Sequence, residues 1–102
     1  MNDDRLVLDA TLRAIPRVQK VYYQPPENIS MVHPCIVYKR DDIINRHADN
    51  SIYGQKHRFT LTVIDDDPDS PIVEYVSKLP KCRFETHFAS AGLNHDVFSI
   101  YT

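Results

Sequence analysis

Three aspartates at alternate positions, Asp65, Asp67 and Asp69, have the spacing with which a calcium-binding loop begins. Such a loop also needs glycine at its sixth position and a glutamate at its twelfth, where this chain has Ser70 and Val76. Too few ligands remain to hold the ion. The five histidines, His33, His47, His57, His87 and His95, include no His-x-x-x-His pair that one helix could aim at a metal. His95 and Asp96 could form an oriented base, yet no serine or cysteine stands in a Gly-x-Ser-x-Gly elbow to be activated by it. With Gly54 and Gly92 the only glycines, no loop can cradle a phosphate. The sequence therefore predicts no catalytic residue, no metal and no cofactor.

The same aspartates have a structural use. Phe59-Thr60-Leu61-Thr62-Val63 alternates with the period of a half-buried strand, and Ile72, Val73, Tyr75, Val76 and Leu79 recur at helical spacing. Between them Pro68 excludes helix for Asp67, Ser70 can accept a bond from a free helix N–H, and Pro71 suits the first helical position. The acidic knuckle joins a strand to a short helix.

Upstream, Asp3 or Asp4 can cap a first helix whose apolar face is Leu6, Val7, Ala10 and Ala14, widened by Leu8, Leu12 and Ile15 and ended by Pro16. Strands are predicted from Val18 to Tyr23, from Pro34 to Tyr38 and from about Lys56. After Pro80 a further strand should carry Cys82, Phe84 and Thr86 on one face and Arg83, Glu85 and His87 on the other. A turn over Ala89–Asn94 precedes a last strand, Asp96–Tyr101. The order α-β-β-β-α-β-β predicts one α+β domain over residues 1–102, a small mainly antiparallel sheet with two helices packed on one face.

At 102 residues, 42% hydrophobic and 25% charged, the chain has the composition of a single folded domain. No apolar run approaches the roughly 20 residues that span a bilayer, and Met1-Asn2-Asp3-Asp4-Arg5 lacks the basic start of a signal peptide. A soluble protein made and kept inside the cell is expected, with Cys35 and Cys82 as reduced thiols in apolar runs. A net charge of −2 argues against tight binding of nucleic acid.

Two features point to assembly. The polar stretch Lys39–Gln55 is too long for an ordinary connection and is expected to be partly a loop, poorly ordered in a free monomer, and partly extensions of the flanking strands into a hairpin arm. Its residues Arg40, Asp41, Asp42, Arg46, His47, Asn50 and Tyr53 are the candidate subunit contacts. The tyrosines Tyr22, Tyr23, Tyr38, Tyr53 and Tyr101 are too many to bury completely, and tyrosine is favoured at protein contacts.

Five blocks, taken in order, carry a family likeness: Tyr22-Tyr23-Gln24-Pro25-Pro26, His33-Pro34-Cys35-Ile36-Val37-Tyr38, Thr62-Val63-Ile64-Asp65-Asp66-Asp67-Pro68-Asp69-Ser70, Leu79-Pro80-x-Cys82-Arg83-Phe84, and Leu93-Asn94-His95-Asp96-Val97-Phe98. Together they resemble the tail terminator, or tail-completion, proteins of long-tailed bacteriophages. The resemblance implies a structural virion protein of the neck, built in the host cytoplasm. Six copies would form a homohexameric ring that caps the head-proximal end of the tail tube. Its implied partners are further copies of itself, the tail tube protein and the head completion or connector protein; DNA passes through the channel without specific binding, and no membrane or reaction is involved. The other reading of the residues is a small intracellular adaptor that binds one protein through a tyrosine-bearing sheet face.

Overall fold

A computed structural model describes residues 2–26, 30–48 and 51–101; of residues 2–4, 47, 48 and 51–53 it describes the backbone alone. The alternation read at Phe59, Leu61 and Val63 places three fully buried side chains on one face of β3 (Ser51–Asp65), the middle strand. On one side β3 pairs antiparallel with β2 (Cys35–Ala48), with Ile36 opposite Val63 and Tyr38 opposite Leu61. On the other it pairs antiparallel with β5 (Leu93–Tyr101), with Phe98 opposite Leu61 and Ile100 opposite Phe59. A short strand, β1 (Lys20–Tyr23), lies parallel to β2, and β4 (Cys82–Ser90) completes the sheet in the order β1-β2-β3-β5-β4.

This register puts Val21, Ile36, Tyr38, Phe59, Leu61, Val63, Phe98 and Ile100 on a single face. Leu8 and Leu12 of α1 (Asn2–Arg13) and Ile72 and Val76 of α2 (Pro71–Ser77) close over that face to form one core. The domain is α+β, with a mainly antiparallel sheet, two helices on one face and the order α-β-β-β-α-β-β.

The knuckle behaves as its residues dictate. Ser70 is buried and its Oγ accepts the Ile72 N–H at 3.3 Å, with Pro71 in the first turn. Asp65 accepts the Asp67 N–H and Asp67 accepts the Asp69 N–H, at 3.1 and 2.9 Å, so both carboxylates hold the turn itself. Burial alone would raise the Asp65 carboxyl, but hydrogen bonds from the Ser70 hydroxyl and the Asp67 N–H hold it below the usual range. Ser70→Ala removes the cap and this donor together. It should cost about 1–2 kcal/mol in urea unfolding, and calcium should leave the melting temperature of either protein unchanged. A calcium-induced rise of several degrees would mean that the knuckle is an ion site after all.

Three local features differ from the sequence expectation. On α1 the buried residues are Leu8 and Leu12, followed by Ile15, while Leu6, Val7, Ala10 and Ala14 face outward. The helix turns this way because Arg5 and Asp9 both reach the Tyr38 hydroxyl, at 3.1 and 2.7 Å. On β4 a bulge falls between Phe84 and Thr86. Cys82 and Phe84 share the helix-covered face, but the extra residue moves Thr86 to the open face beside Val97 and returns His87 to the side of Asp96. The last turn is shorter than expected: β4 and β5 are joined by Ala91-Gly92 alone, both at positive φ of 53° and 78°, as a two-residue hairpin requires.

Candidate assembly surface

β2 and β3 outrun their neighbours. β1 covers β2 only from Cys35 to Tyr38, and β5 covers β3 only from Arg58 to Asp65. Beyond these limits the two strands pair with each other, residues 43–48 against residues 51–57. At about 3.3 Å per residue this arm extends about 23 Å past the sheet, in a molecule whose extents are 52 × 29 × 23 Å. A mixture of loop and arm is expected for Lys39–Gln55, and its described residues are all hairpin arm. Among the described residues no loop is seen, because a ladder satisfies the backbone of both strands without requiring an apolar face, so polar side chains do not forbid it.

The base of the arm is fixed by charge. Asp41 sits at a bulge and accepts hydrogen bonds from Arg58 Nε at 2.8 Å and from the Thr60 hydroxyl. Burial would raise the Asp41 carboxyl, but Arg58 and Thr60 hold it below the usual range. Arg40 donates its N–H to the Gln24 side chain at 3.2 Å and lays its guanidinium 5.5 Å from the centre of the Phe59 ring. Farther out, Gln55 donates to Asn45 at 2.8 Å and meets His57 at 3.0 Å, and His57 stacks on Phe59. Two isoleucines stand in this polar setting, Ile43 and Ile44, exposed by 45% and 41%.

The candidate contact residues are therefore spread along the arm. Arg40 and Asp41 lie at its base, Asp42 at its start and Arg46 near its end. His47 and Tyr53 occupy strand positions, but their side chains lie outside the described residues, as does Asn50 entirely. Sequence reasoning passed over Ile43, Ile44 and Arg58. A β-branched pair within a charged stretch was the available signal for the first two. It also passed over the edge strand β4, where Phe84 and Phe88 are exposed by 51% and 47%.

Of the five tyrosines, Tyr22 and Tyr101 share the face opposite the helices, Tyr23 and Tyr38 face the core, and the Tyr53 side chain lies outside the described residues. Tyr38 is fully buried, Tyr23 packs against it at 4.8 Å, and Tyr22 faces the other side of the sheet with its hydroxyl accepting the Val32 N–H. His95 and Asp96 point to opposite faces. Asp96 pairs with His87 at 2.8 Å, and His95 stacks on Phe88 with ring centres 4.6 Å apart. Among the described residues no three His, Cys, Asp or Glu side chains converge as metal ligands, and no helix is long and apolar enough to cross a membrane. Both thiols are free, and burial pushes the Cys35 thiol up to about 11.

The features this geometry sets apart are a projecting two-stranded arm and an exposed edge strand, β4. Compared with known proteins, the chain matches no family model and no curated protein.

Proposed function

We propose that the protein is a tail terminator of a long-tailed bacteriophage, a structural subunit whose homohexameric ring caps the head-proximal end of the tail tube. In this role it meets the tail tube protein on one side and the head completion or connector protein on the other, in the neck of the virion. The observation that carries the reading is the arm, joined to the five sequence blocks that resemble the family. A two-stranded hairpin is marginal in water by itself, so one that projects with two exposed isoleucines gains stability from a second chain. The slightly acidic chain suits a channel that lets DNA pass without holding it.

The adaptor reading has less support, because two of its five tyrosines, Tyr23 and Tyr38, pack in or against the core. Light scattering on the purified protein, with negative-stain images, should find six-fold rings. In the phage that carries the gene, its deletion should produce overlong tails without heads. A monomer at all concentrations, together with tails of normal length in the deletion, would overturn the reading.

A further inference from the structure

We propose that the arm of one copy adds as an edge strand to β4 of the next copy, so that neighbouring sheets are joined by an antiparallel β2–β4 contact. The inference rests on the ring reading above and names the surfaces that close the ring.

The sheet has one open edge on each side. On the β1 side, no strand among the described residues pairs with the outer edge of β2 beyond Tyr38, up to Ala48. Its donors already reach outward for partners. The Arg40 N–H is met by the Gln24 side chain, and the Ile43 N–H by the Asp42 carboxylate at 2.8 Å. Side chains thus occupy places where a further strand would put its carbonyls. On the opposite side β4 is outermost, exposed from Arg83 to Ser90, and neither lysine nor proline blunts it after Cys82.

Direction and length match. β2 runs towards the arm tip, β3 returns, β5 runs outward again and β4 returns. A second copy set beside the first in the same orientation therefore brings its β2 antiparallel to the first copy's β4. Among the described residues no strand continues the column that β1 fills beside Cys35–Tyr38, and a neighbour's β4 of 9 residues fits it end to end with β1.

Within one copy Cys82 stands level with Arg40, through Ile100 and Phe59, so this placement shifts successive copies by about eight residues, or about 26 Å along the strands. A stagger of this kind inclines the strands to the axis, as a closed sheet requires. Because the contact joins two different edges, it repeats in one sense and generates a ring rather than a two-fold pair. It also sets Ile43 and Ile44 beside Phe84 and Phe88, a β-branched to aromatic pairing that covers what each copy leaves exposed.

Cysteine cross-linking tests the contact. In a Cys82→Ser background, Ile44→Cys is combined on one chain with Arg83→Cys, Thr86→Cys or Phe88→Cys to scan the register. The paired positions lie on strands three columns apart within one copy, too far for an internal bond. At least one pair should give an oxidised ladder that ends at the closed ring, while a mixture of the two single variants stops at dimers. Phe84→Lys with Phe88→Lys, at exposed positions, should leave the circular dichroism unchanged and abolish rings. Val7→Cys with Ile44→Cys tests the alternative seat, an apolar groove lined by Val7, Leu79, Pro80 and Ile100. Rings that form while only the Val7 pair cross-links overturn the β4 contact and leave the ring reading standing. No assembly in wild-type protein, alone or in the virion, overturns the ring reading itself.

Discussion

Cutting the arm back to its base should give a folded monomer that no longer forms rings or terminates tails. The register sets the cut: Ile43 faces His57, so residues 44–56 are replaced by Asn-Gly, which turns the chain between those two positions. Among the described residues the core loses nothing, because every buried hydrophobic residue lies in the helices, at Ile15 just after α1, or in the part of the sheet below the arm. Stability in urea should therefore change by no more than about 1 kcal/mol, since an isolated pair of strands contributes little by itself. Assembly should be lost completely. If the variant unfolds instead, Ile43→Lys with Ile44→Lys keeps the arm and removes its apolar contact, and should again leave a monomer. Truncated protein that still forms rings, with tails of normal length, would move the subunit contact to the helices and the body of the sheet.

The arm also marks where the sequence could and could not be read. The strand-to-helix junction at Phe59–Val76 was legible because each signal had one meaning: alternation, a proline that forbids helix, a serine cap and a helical repeat. The arm carries no such alternation. Its described side chains short of His57 are exposed on both faces, so nothing in the polarity of this stretch distinguishes a ladder from a loop, and only the pairing partner decides. The α1 stripe was misassigned for a related reason. Leu6, Val7 and Leu8 are consecutive, so several apolar stripes are available, and the choice falls to contacts that Arg5 and Asp9 make with Tyr38, 33 and 29 residues away. At β4, one inserted residue, Glu85, exchanges the faces of everything after it, and its only mark is a bond from the Ser99 hydroxyl at 2.7 Å, which no local pattern announces. The assembly surface was legible as a segment but not as residues, because Ile43 and Ile44 gain meaning only once the arm is seen to stand clear of the sheet.

Tyr38 should prove the most costly single residue to remove. Its ring is fully buried between Tyr23 and Phe59, and its hydroxyl donates to Asp9 at 2.7 Å while accepting from Arg5, so it ties α1 to the centre of the sheet. Tyr38→Ala should cost about 3–5 kcal/mol, a large share of the roughly 5–15 kcal/mol that holds such a domain together. Tyr38→Phe keeps the ring and loses one hydrogen bond, and Asp9 remains paired with Arg13 at 2.6 Å, so about 1 kcal/mol is expected.

The two variants separate packing from polarity, and pH separates them further. Burial first, and then the Asp9 carboxylate, push the Tyr38 phenol up to about 12, against an ordinary value of 10.0. The native state then holds this proton more tightly than the unfolded chain does. The stabilisation is complete below pH 10 and is lost as pH rises towards 12. Asp9 runs in the opposite sense. Burial would raise its carboxyl, but bonds from Arg13 and Tyr38 hold it below the usual range, so its contribution is present at neutral pH and fades as pH falls below about 4. Urea unfolding at pH 8 and pH 11 should show a fall in wild-type stability that is smaller in Tyr38→Phe. Equal falls in the two proteins would mean that the phenol is solvated and that α1 is held by its leucines alone.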